Sequence, residues 1–217
     1  MQRRLKTVFV GLAFVLATDA AAQLAWETRP TSAEGRGGGR GEAFLLAGAN
    51  GASARMWKPT LETVPLEVGK AGRVEPPRTG LNNYHLLVAE QRAEGALQTA
   101  LRYLPRNGKP TGHSPSELLA ADKAALEIVP RPLPREHRHY KTGERYRFRV
   151  RFRGAPVADT RVDLTTSHGS RISGRTDPEG YVDFRLPMDF REVREGRRAN
   201  PPGELLLSVA HRGPDVL

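Results

Sequence analysis

The chain has no cysteine among its 217 residues. Disulfides, thiolate metal sites and thiol nucleophiles are therefore excluded, and the core alone has to hold the fold. Lysine is scarce too: six of the 34 basic residues are Lys, which leaves 28 Arg. No G-x-S-x-G elbow, H-E-x-x-H helix or phosphate-cradling Gly-rich loop occurs, so nothing in the motifs points to catalysis. Long hydrophobic runs are also missing. Val8–Leu16 is apolar, but far short of the roughly 20 residues that cross a bilayer.

What surrounds that run gives it a meaning. Arg3, Arg4 and Lys6 precede it, and Ala20-Ala21-Ala22 follow it before Gln23. A positive start, a short apolar stretch and a small-residue site make residues 1–22 a cleavable signal peptide, with an uncleaved anchor as the alternative. No Cys follows the small residues, so lipid attachment there is excluded. The expectation is a periplasmic or secreted protein. Residues 1–22 carry three positive charges and Asp19, so removing them takes the net charge from +10 to 10 − 2 = +8. A basic excess ordinarily suggests nucleic acid. Export argues against that partner and leaves anionic envelope components: lipopolysaccharide, acidic glycans or phospholipid head groups.

Residues 23–55 read as a flexible linker, because Thr31–Glu42 is Gly-rich and non-periodic and Ala47–Ser53 is rich in Gly and Ala. Nothing firm is expected before about Met56. An N-terminal β-rich part follows over 56–113, with strands at Leu61–Val68, Tyr84–Ala89 and Ala96–Leu104. Ser114, Pro115 and Glu117 form a capping box with a preorganised first turn, and Leu118, Leu119, Ala121, Ala124 and Ala125 carry a linking helix over 114–124. The remainder, 125–217, reads as an Ig-like β-sandwich. Its strands fall at Leu126–Val129, Arg145–Arg153, Thr160–Ser167, Tyr181–Leu186 and Glu204–His211. Pro130, Pro132 and Pro134 make 130–135 an extended crossover, and Asp177-Pro178-Glu179-Gly180 is a type I turn. The predicted fold is mainly β, with two β-rich parts joined by one short helix.

Arg145–Arg153 alternates without a break: Arg at every odd position, with Tyr146, Phe148, Val150 and Phe152 between. On a strand this buries one face and sets Arg145, Arg147, Arg149, Arg151 and Arg153 on the other. Such a row is either an anion-binding surface, since guanidinium forks match phosphates and carboxylates, or a solubilising face compensated by acids such as Asp163 or Asp183. Among the six histidines, His137 and His139 would share one face of an extended segment and suit a borderline metal, with His168 or His85 as a third ligand. The alternatives are a solvated crossover for the pair and a hydrogen-bonded core role for His85. Ser167-His168-Gly169-Ser170 is adjacency in sequence, not a triad.

Three runs in order resemble a known pattern: Ala125–Pro130; Arg145–Gly154 followed by Ala155-Pro156-Val157; and Thr176–Phe184, which contains the Thr-Asp-x-x-Gly turn. They resemble the periplasmic family called domain of unknown function 4198, associated with nickel-uptake transporters. The likeness covers roughly Trp57 to His211. It implies an exported Ig-like or carboxypeptidase-regulatory-like sandwich that assists nickel or cobalt uptake beside a membrane metal transporter. Some members place a His before a Trp; here Arg55-Met56-Trp57-Lys58-Pro59 has none. The resemblance also leads one to expect further sequence after Leu217, and so a missing last edge. The expected function is an exported, non-enzymatic binding or accessory protein, with an arginine-faced module for an anionic glycan, lipid or acidic protein as the alternative.

Overall fold

The computed structural model describes residues 23–28, 43–93, 96–133, 140–166, 169–188, 205–209 and 211. Residues 1–22, expected to be a signal peptide, and the Gly-rich stretch 31–42 lie outside them. The described chain is mainly β and builds two sandwiches that meet across one short helix.

In the first sandwich, a sheet in the order β1 (Ala25–Thr28), β2 (Phe44–Ala47), β5 (Arg73–Val74) lies against a second sheet. The second runs β4 (Thr63–Leu66), β3 (Ser53–Trp57), β6 (Asn83–Ala93), β7 (Ala96–Arg106). Trp26, Phe44, Leu46 and Val74 from one sheet close on Met56, Leu87, Ala89 and Leu104 from the other. The expectation that 23–55 is a linker with nothing firm before Met56 is therefore corrected. Four-residue alternations such as Phe44-Leu45-Leu46-Ala47 are too short to stand out beside Gly-rich neighbours. They become strands because Phe44 and Leu46 each bury all but 1% of their surface.

The second sandwich pairs β8 (Leu126–Arg131), β9 (Arg145–Phe152), β10 (Ala155–Pro156) and β13 (Tyr181–Arg185) in one sheet. The facing sheet runs β12 (Arg171–Arg175), β11 (Arg161–Thr166), β14 (Leu205–Val209). Phe148, Val150, Val162, Leu164, Val182 and Phe184 fill the space between, so the apolar half of the alternating stretch does face a core. The Asp177–Gly180 turn passes the chain from one sheet to the other. Gly180 N donates to Asp177 O at 2.9 Å, and the Asp177 carboxylate accepts from Tyr181 N at 2.7 Å.

The linking helix α1 covers only Pro115–Ala120. Its capping box forms as expected: the Ser114 hydroxyl accepts from Ser116 N at 3.2 Å, and Glu117 accepts from Ser114 N at 2.9 Å. It stops short of the expected 124 because the groups beyond it are claimed by tertiary partners. Lys123 N and Ala124 N donate to the Glu127 carboxylate, while Arg151 donates to the carbonyls of Ala120 and Ala121. A side chain that satisfies the last carbonyls of a helix ends it there.

A third apolar cluster ties the two sandwiches together. The second face of β6 (Tyr84, Leu86, Val88) packs with Leu118 and Leu119 of α1 and with Val129 and Leu133 in and after β8. β6 is thus buried on both faces, and one end of the outer face of the β8–β9–β13 sheet is covered. The other end of that face is open.

Candidate functional site

The candidate site is this half-covered outer face. Odd-numbered residues of β9 point to it, and antiparallel register decides what stands beside each. Arg145 is opposite Arg185; Arg147 is opposite Asp183 on β13 and Arg131 on β8; Arg149 is opposite Tyr181 and Val129; Arg151 is opposite Glu127.

The covered end holds Arg151, only 8% exposed, over Glu127 at 1% and Lys123 at 2%. Arg151 Nε donates to Glu127 Oε2 at 2.6 Å, and Lys123 Nζ stands 3.5 Å from the same oxygen. Burial lowers the Lys123 pKa to about 8 against the upward pull of Glu127. The chain of polar contacts continues into the first sandwich. Arg55 bridges the Lys123 carbonyl at 2.6 Å and the Glu90 carboxylate at 2.9 Å. Tyr103 lies nearby, and burial followed by the Glu127 charge pushes its hydroxyl upward. This cluster joins the two sandwiches and closes α1.

The arginine row is therefore not one surface. Arg151 leaves it for the junction. Arg153 leaves it as well, since it sits in the turn after β9 with φ +48°, its guanidinium over the Phe152 ring. Arg145, Arg147 and Arg149 stay on the open part, and the fold adds Arg131 and Arg185. Five arginines stand there on three neighbouring strands, beside Asp183 and Tyr181.

Their contacts are specific. Arg147 grips Asp183 with Nε and Nη2, both at 2.9 Å. That fork holds the Asp183 carboxyl below its ordinary range and raises Arg147, with a smaller contribution from the Asp177 charge. The guanidinium carbons of Arg147 and Arg149 lie 5.5 and 5.3 Å from the centre of the Tyr181 ring. A hydrogen bond with Arg131 lowers the Tyr181 hydroxyl, helped by the Arg131, Arg149 and Arg147 charges. Arg149 Nε donates to the Glu179 carbonyl at 3.1 Å, and Arg185 Nε to the Gly143 carbonyl at 2.9 Å. Of the two acids expected to compensate the row, Asp183 does so. Asp163 pairs with Arg161 at 2.8 Å on the facing sheet.

Of the four expected metal ligands, His85 alone is among the described residues. His137, His139 and His168 lie outside the described residues. His85 is completely buried. Its Nε2 is 2.7 Å from the Thr79 hydroxyl and its Nδ1 is 3.3 Å from the Asn83 carbonyl, so both ring nitrogens are occupied. Burial first, then the Arg106 charge, lowers its pKa to about 4. It is a neutral core residue. Among the described residues, no group of three His, Asp or Glu side chains could hold a metal. No described helix is long and apolar enough to cross a membrane.

Arg131 and Arg185 are the site residues that sequence reasoning missed. Pro130 ends a central strand on propensity, yet β8 is an edge strand. Pairing runs through Pro130 to Arg131, as an edge permits. Only the cross-strand register puts Arg185 beside Arg145. Compared with known protein families and with curated proteins, the chain matches none.

Proposed function

We propose that this is an exported, non-enzymatic binding or accessory protein that holds an anionic partner on the open face of the β8–β9–β13 sheet. One observation carries the reading. Arg145 stands directly opposite Arg185, and Arg131 directly opposite Arg147, on one sheet face. Like charges in directly opposed positions destabilise a sheet. A local conflict of this kind is the mark of a functional surface whose missing partner has the opposite charge. Elsewhere several basic residues have an acid partner: half-buried Lys58 pairs with Glu62, and exposed Arg73, Arg161 and Arg175 pair with Glu75, Asp163 and Asp159. The nickel or cobalt role implied by the resemblance to domain of unknown function 4198 rests on His137 and His139. The anion reading rests on geometry and is preferred for that reason.

A fluorescence-anisotropy titration with labelled dextran sulfate tests it. Binding should weaken steeply as salt rises. The triple variant Arg131→Gln, Arg145→Gln, Arg185→Gln should lose binding. A control triple, Arg73→Gln, Arg161→Gln, Arg175→Gln, removes the same charge elsewhere and should keep it. Equal losses in both triples would reduce the attraction to net charge and refute the site.

A further inference from the structure

The seat geometry narrows the ligand. Resting on the anion-binding reading, we infer that the face takes a ligand with two phosphomonoester groups on a compact scaffold such as a sugar or cyclitol, one group at Arg145 and Arg185 and the other at Arg131, Arg147 and Arg149.

Charge comes first. The first seat carries two guanidinium groups, Arg145 and Arg185, without a carboxylate among the described residues opposite them. The second carries three, Arg131, Arg147 and Arg149, one of which is already matched by Asp183. Counted over the described residues that stand directly opposite one another on the three strands, each seat is left with a surplus of two positive charges, 2 − 0 and 3 − 1, while the Asp177 charge also reaches Arg147 and the Asp183 charge also reaches Arg145. A phosphomonoester carries about −1.5 to −2 at neutral pH and presents three acceptor oxygens. A carboxylate or a phosphodiester brings only one charge to a seat that has two to neutralise.

Oxygen count points the same way. Asp183 shows what a carboxylate does on this face: it spends both oxygens on the Nε and Nη2 edge of a single arginine. A seat with opposed guanidiniums needs a third acceptor, which the tetrahedral monoester supplies. Donors are available on both sides. Among the described residues, Arg185 donates through Nε to the Gly143 carbonyl and Arg149 through Nε to the Glu179 carbonyl, which leaves their Nη groups for a ligand.

Spacing sets the scaffold. Arg145 and Arg147 are two residues apart on β9, so the seats are about 7 Å apart at the usual strand rise. That separation suits phosphates on opposite sides of one six-membered ring. Nucleic acid fits less well, because sequence-tolerant strand binding needs open aromatic platforms. The aromatic ring on the face, Tyr181, is already approached by Arg147 and Arg149.

Calorimetric titration of the full chain with myo-inositol 1,4-bisphosphate tests the inference, with inositol 1-phosphate, inositol 4,5-bisphosphate and oligothymidylate as comparisons. The 1,4-bisphosphate should bind best. Arg145→Gln and Arg131→Gln, one from each seat, should each weaken it about tenfold, as expected for a lost charge-assisted contact. Arg161→Gln should leave it unchanged. The monophosphate binding as tightly as the 1,4-bisphosphate would overturn the two-seat ligand while dextran sulfate binding keeps the anion face. Tighter binding of the 4,5-isomer would overturn the spacing, and tighter binding of oligothymidylate would replace the ligand class with a diester chain. If dextran sulfate fails as well, the anion reading itself falls.

Discussion

Replacing Arg151 with Met separates the two halves of the arginine row by their energetics. Arg151 is 8% exposed and faces Glu127, which is 1% exposed. Its removal deprives Glu127 of the donor at 2.6 Å and leaves it with Lys123 at 3.5 Å and the amides of Lys123 and Ala124. The Ala120 carbonyl at the end of α1 loses its donor at 3.1 Å. Met refills much of the volume of the arginine stem, so the cost is electrostatic rather than a cavity. Removing one partner of a buried pair costs about 3–5 kcal/mol, and the surviving Lys123 contact argues for the lower end. Arg145→Met, exposed on the open end of the face, should cost less than about 1 kcal/mol, as for exposed charges. Equilibrium urea unfolding followed by tryptophan fluorescence gives both values. If the two variants lie within about 0.5 kcal/mol of each other, the scatter of ordinary surface substitutions, Arg151 does not close the junction and the division of the row is wrong.

His85 makes stability depend on pH. Its folded pKa of about 4 lies below the unfolded value of 6.5, so the unfolded chain takes up a proton that the folded chain refuses. The stabilisation is fully present above pH 6.5 and is lost as pH falls towards 4, by about 3 kcal/mol in total. Unfolding curves across that window should show the slope, and His85→Gln should flatten it; a wild-type curve without slope contradicts the buried neutral imidazole. Gly180→Ala should destabilise by at least about 2 kcal/mol, from positive φ combined with a steric clash. The added Cβ would meet the Val150 carbonyl at 2.6 Å at φ +80°. A thermal melt unchanged by this substitution would mean that the Asp177–Gly180 turn does not hold the two sheets as described.

Much of the second sandwich was legible because its signals are local. Alternation placed Phe148 and Val150 in a core, and Asp177, Pro178 and Gly180 spelled out their turn. The capping box at Ser114 was legible for the same reason. The length of α1 was not, since its end depends on Arg151 and Glu127, residues that follow it in the chain. The strands at 25–28 and 44–47 were hidden by brevity and by glycine-rich surroundings. Alternation also misjudged the arginines. Period 2 says which side of a strand a residue points to, but not whether that side is covered. The first sandwich and α1 cover it at Arg151, whereas Arg145 stays open. Arg131 and Arg185 belong to the site through register alone, which is long-range information.

Side-chain Nε–Hε spectra of the arginines, recorded by NMR during a titration with inorganic tripolyphosphate, test the anion face most directly. The Arg131, Arg145, Arg147, Arg149 and Arg185 signals should shift together and saturate. Arg151, buried against Glu127, and Arg161 and Arg175, paired on the facing sheet, should stay in place. Small shifts spread evenly over all exposed arginines, or a response centred on Arg161 and Arg175, would contradict the account.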